Sequence, residues 1–120
     1  MDASDQITET LKSLGDATLS SFEKLSAYSR ERISNYSILK FCEHQYLAEE
    51  DIVSFLIFLK YIYYLEGKEL HIILAVKFIR KAMGYSLAES KNLYDEKIRT
   101  IVFTPLQKIL LETEYEELMK

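Results

Sequence analysis

The sequence predicts an all-α fold: a compact bundle of about five or six helices in one domain spanning residues 1–120. Three observations carry this. There are only three glycines and one proline in 120 residues, and an all-β chain of this length draws heavily on both for its turns. Apolar residues recur at three- and four-residue steps, the spacing of a helical face. Ser, Thr, Asp and Gly stand where such helices would begin and end.

The elements follow in order. Ser4 is a candidate cap for a first helix, along which Ile7, Leu11, Leu14, Thr18, Phe22, Leu25 and Tyr28 share one face. Gly15 and Asp16 can interrupt it, with Asp16 capping a second helix. Residues 1–34 therefore read as a peripheral amphipathic helix or hairpin, with too few clean heptads for a coiled coil. Asn35 to Ser37 reads as a break, and "YSILKFCEHQYL" as a short helix. Glu49, Glu50 and Asp51 place negative charge where the next helix should start, complementing its dipole. The most apolar stretch comes next, "IVSFLIFLKYIYYLEG". It runs for about 14 residues and includes Lys60, whereas a membrane span needs about 20, so a buried central helix is expected and no membrane partner. Gly67 fits a helix C-cap. A helix from about Glu69 to Met83 should end at Gly84. Ser86 and Glu89 form an S-x-x-E capping box that starts another near Leu87. Thr104 and Pro105 supply an N-cap and a first-turn proline for a last helix ending near Leu118.

Net charge is −4, so bulk attraction to DNA is not expected. The charge is uneven. Residues 68–99 hold seven Lys/Arg against four Asp/Glu, net +3, and the rest of the chain is net −7. The acidic end, "LLETEYEELMK", reads as a solvated helix face able to meet a basic partner. The lone Cys42 allows neither an internal disulfide nor a multi-cysteine zinc site. Phe41 and Leu39 beside it suggest a partly buried thiol, which suits a reducing cytoplasm. The start, "MDASDQITE", has no basic and apolar secretion pattern, so the expected location is cytoplasmic.

Enzymatic signatures are missing. His44 and His71 lack H-x-x-x-H or H-E-x-x-H spacing, and neither has an arginine placed as in helical ribonucleases with R-x4-6-H. Cys42 and His44, two apart on a helix, point away from each other. No Walker A loop, G-x-G-x-x-G turn or G-x-S-x-G elbow is present. Glu43, His44 and His71 would need a concave site with another polar group to support catalysis. The expectation is no enzyme, no cofactor and no metal.

The most informative segment is "AVKFIRKAMGYSLAESKNLYD", residues 75–95. Val76, Lys77, Ile79, Arg80, Gly84, Leu87, Glu89, Lys91, Leu93 and Asp95 match the pattern of the helix-turn-helix segment in the C-terminal domain of bacterial ribosomal protein L7/L12. Met83, Tyr85, Ser86, Ala88 and Ser90 depart from it; Ser90 stands where the family has alanine. This part of the chain resembles that segment; the rest does not. The resemblance implies a docking surface for a protein partner, with Lys77, Arg80, Leu87, Glu89 and Lys91 as contacts. It also opens an α+β alternative, in which residues 61–65 form a strand.

Residue spacing gives a similar patch. Lys77, Arg80 and Lys81 lie at i, i+3 and i+4 and share a helix face. Tyr61, Tyr63 and Tyr64 cannot all face one side of their helix, and tyrosine suits interfaces, so Tyr61 and Tyr64 mark a second candidate surface. The expected function is a protein-protein interaction module, an adaptor or inhibitor, with another protein as partner and homo-oligomerisation left open. The alternative is a nucleic-acid-binding regulator using the same helix pair. Its second helix carries Glu89, Lys91, Asp95, Glu96 and Lys97, whose charges nearly cancel, which weakens that reading.

Overall fold

A computed structural model describes residues 3–42 and 47–120. These form seven helices and no strand: α1 (Ala3–Leu14), α2 (Asp16–Glu23), α3 (Ala27–Cys42), α4 (Glu49–Leu65), α5 (Ile72–Met83), α6 (Leu87–Lys97) and α7 (Pro105–Leu118). The all-α expectation holds; the expected five or six helices become seven. The strand alternative fails, because residues 61–65 continue α4. Ser4 lies inside α1 rather than ahead of it. Glu43 and His44 and the side chain of Cys42 lie outside the described residues.

The break expected at Asn35–Ser37 is absent, since α3 runs straight through it. Local propensity there is poor, but tertiary packing overrides it. Tyr36 is fully buried and stacks on Phe58 with ring centres 4.6 Å apart. Ser34 turns its hydroxyl back to the Arg30 carbonyl at 2.8 Å, so it does not compete with the helix from outside. The start of α3 is set by Ser26, whose Oγ accepts from the Ser29 backbone N–H at 3.2 Å.

α4 is the axis of the core. Ile52, Phe55, Leu56, Phe58, Leu59, Tyr61, Ile62 and Tyr63 are all buried along it. It stops because Gly67 takes φ +69. The Gly67 N–H then reaches the Tyr64 carbonyl at 3.0 Å and the Lys68 N–H reaches Tyr63 at 2.8 Å, a Schellman closure. α1 contributes Ile7, Leu11 and Leu14 to the same core cluster that holds Phe55, Leu74, Phe78 and Ile98, and α7 contributes Leu111. The radius of gyration is 13.4 Å, close to the roughly 14 Å of a compact domain of this length.

The helix pair α5–α6 forms as its punctuation dictates. Gly84 takes φ +70 and its N–H closes on the Arg80 carbonyl. Ser86 Oγ accepts from the Glu89 N–H at 3.1 Å, and Glu89 Oε1 accepts from the Ser86 N–H at 3.1 Å. α5 begins later than expected, at Ile72, where His71 Nδ1 accepts from the Ile73 N–H at 3.3 Å. This gives His71 a capping role.

Candidate functional site

A groove opens between the end of α1 and the outer face of α5. It is open to solvent, has a volume of about 500 Å³ and is lined by Ser13, Leu14, Lys77, Arg80, Lys81, Gly84 and Tyr85. The amphipathic pattern of α5 explains the placement. Leu74, Ala75, Val76, Phe78 and Ile79 go into the core, which turns Ile73, Lys77, Arg80 and Lys81 outward. The Lys77 ammonium lies where a Cβ on residue 15 would come within 3.4 Å. It therefore stands beside the turn at Gly15, which joins the end of α1 to the start of α2. Gly15 has φ +129, a conformation that side chains resist, so a glycine keeps this turn narrow beneath the lysine.

Lys77, Arg80 and Lys81 form no ion pair among the described residues. Three cations on one face, without an ion pair among the described residues and beside an open groove, make a basic patch. Tyr85 walls one side of it. Its hydroxyl donates to Glu49 Oε1 at 3.0 Å, which ties the groove to the start of α4. That hydrogen bond is the main cause of the rise in the Tyr85 pKa.

The other expected contacts are dispersed. Leu87 is exposed at the start of α6, and Lys91 is exposed one turn on. Glu89 has its carboxylate engaged in the capping box. Tyr61 is a correction: it is buried, not on a surface. Its hydroxyl donates to Glu112 Oε1 at 2.7 Å, and burial first, then the Glu112 carboxylate, push its pKa up to about 12. The inward pull of α7 explains this. Arg32 on α3 holds the other Glu112 oxygen at 2.6 Å, and Tyr36 donates to Glu114 Oε1 at 3.0 Å. Glu112 and Glu114 on the acidic end thus face inward, while Glu116 and Glu117 are exposed.

Tyr64 is half exposed and borders a second, smaller depression of about 260 Å³ with Lys60, Val102 and Phe103. Its ring lies 5.2 Å from that of Phe103, and the Lys108 ammonium sits 5.2 Å from its centre. Lys60 shapes the neighbouring loop. Its ammonium donates to the carbonyls of Ile98, Arg99 and Ile101 at 2.9, 3.1 and 2.9 Å. Burial lowers its pKa.

One surface escaped the sequence reading. Leu106, Ile109 and Leu110 of α7 are exposed. Their three- and four-residue spacing was legible, but the acidic residues that follow masked it.

No helix among the described residues is long and apolar enough to cross a membrane. Comparison with protein-family models, with curated proteins and with solved structures finds no match.

Proposed function

We propose that this chain is a non-enzymatic docking module of the cytoplasm, an adaptor or inhibitor, that takes an acidic segment of another protein into the groove between α1 and α5. One observation carries the reading: Lys77, Arg80 and Lys81 line that groove with no carboxylate paired to them among the described residues. Clustered cations repel one another until counter-charge arrives, so an acidic ligand gains from all three. Leu14 and Tyr85 add apolar wall, so a segment mixing acids with apolar side chains fits better than a bare polyanion. The local resemblance to the L7/L12 helix pair, which docks translation factors, supports the same use of Lys77 and Arg80.

The test is a titration of labelled Asp/Glu-rich peptide and, separately, of short duplex DNA. The expected result is peptide binding that Lys77→Glu/Arg80→Glu weakens roughly tenfold or more, a loss of about 1.4 kcal/mol or greater. Preference for DNA with a steep log–log salt slope replaces this reading with nucleic-acid binding. Binding of neither ligand, or peptide binding that ignores the charge reversal, overturns it.

A further inference from the structure

α7 is apolar on two sides. Leu111 is buried, and Tyr115 and Leu118 pack half-buried against the core. On the other side Leu106, Ile109 and Leu110 are 65, 62 and 54% exposed, with Val102 at 75% just before the helix. At about 100° per residue, Leu106, Ile109 and Leu110 fall within an arc of roughly 100° facing away from Leu111. Further along, the exposed Thr113 and Glu117 fall in the same arc, with the exposed Glu116 just past its edge. The outward face therefore has an apolar first half and an acidic second half.

We propose that this face pairs with the same face of a second copy of the chain, the two α7 helices running antiparallel about a two-fold axis near Leu110. Such a face is complementary to itself in one direction only. Antiparallel pairing brings the two sets of Leu106, Ile109 and Leu110 together at the centre and sets Leu106 beside Thr113 of the other copy. It carries Glu116 and Glu117 of each copy towards the other's helix N-terminus, the positive end of the dipole. Lys97 ends α6, before the loop that leads to that helix start, and Arg99 is paired with Asp95 at 3.5 Å. A parallel pair would set acid against acid. An anionic lipid surface would meet the same two glutamates with repulsion. Four aliphatic side chains per copy cover less than the roughly 800 Å² per partner of a standard interface, so the dimer is weak and concentration-dependent. It presents two grooves, so a ligand with two acidic segments gains avidity. The pairing does not depend on what the groove binds.

Sedimentation velocity on the full chain, from micromolar to millimolar concentration, tests the proposal. The wild type should pass from monomer to dimer. Leu106→Ser/Ile109→Ser/Leu110→Ser should stay monomeric with unchanged circular dichroism, because all three side chains are outside the core. Orientation is read by oxidation in a Cys42→Ser background. A mixture of Leu106→Cys and Thr113→Cys chains should cross-link to each other faster than Leu106→Cys chains do among themselves. A wild type that remains monomeric throughout, a dimer that survives the triple substitution, or faster Leu106→Cys self-linking each overturns the proposal.

Discussion

The guanidinium of Arg32 on α3 stands 2.6 Å from the Glu112 carboxylate on α7, across 80 residues of sequence. Arg32 also lies 4.9 Å over the Tyr115 ring and 5.6 Å over Phe58. One buried cation thus anchors the last helix by charge and by ring contact. Arg32 is nearly buried, while Glu112 keeps access to water. Arg32→Met should therefore destabilise by about 1–3 kcal/mol, less than the roughly 3–5 kcal/mol for breaking a fully buried pair. Glu112→Gln should cost a similar amount: an amide oxygen still accepts from Tyr61, but the nearly buried guanidinium loses its counter-charge. Urea unfolding of the two single variants and the double variant measures the coupling; additive losses would remove the pair as the anchor.

Ser90 makes the opposite kind of prediction. It is fully buried on α6, and its hydroxyl has no hydrogen-bond partner among the described residues. Ser90→Ala removes an unsatisfied polar group and improves helix propensity, so it should stabilise by about 1 kcal/mol. A lower thermal midpoint in the alanine variant would contradict this.

Lys60 satisfies three carbonyls at the end of α6 and in the loop after it. Lys60→Met keeps the aliphatic stem and leaves those acceptors to water or to nothing. The expected loss is about 1–3 kcal/mol. Faster amide exchange at residues 98–104 than in α4 would localise the effect; uniform acceleration across the chain would point to global unfolding instead.

Alkaline titration should expose the buried phenols. The Tyr61 pKa is pushed up to about 12, and those of Tyr36 and Tyr63 are also raised above 10.0, with burial the leading cause in each. The folded chain then holds protons that the unfolded chain releases near pH 10. The stability they contribute is complete below that pH and is lost as pH rises through the folded values. The urea midpoint should fall from pH 10 towards pH 12, and Tyr61→Phe should make the fall shallower. An unchanged slope would mean that Tyr61 does not couple to folding.

What the sequence revealed and hid follows physical lines. Gly84, Ser86 with Glu89, and Thr104 with Pro105 act within one turn of chain, and each helix end stands where those residues put it. Asn35–Ser37 misled because Tyr36 gains its stability from Phe58, a residue distant in sequence. Tyr61 misled for the same reason, since its partner Glu112 belongs to a helix that reads as solvated. Lys77, Arg80 and Lys81 were legible as one face from spacing alone. Their groove was not, because its other wall is the end of α1.

The lysine within α4 matters before folding as well as after. An apolar helix leaving the ribosome is a candidate for partition into lipid until its neighbours cover it. A lysine near the middle of such a segment opposes insertion by about 2.5–3.5 kcal/mol on translocon-based scales. In the finished fold the same ammonium reaches the carbonyls of Ile98, Arg99 and Ile101, which are synthesised some forty residues later. One charge thus raises the cost of placing this apolar stretch in lipid and, in the folded chain, ties down the loop between α6 and α7.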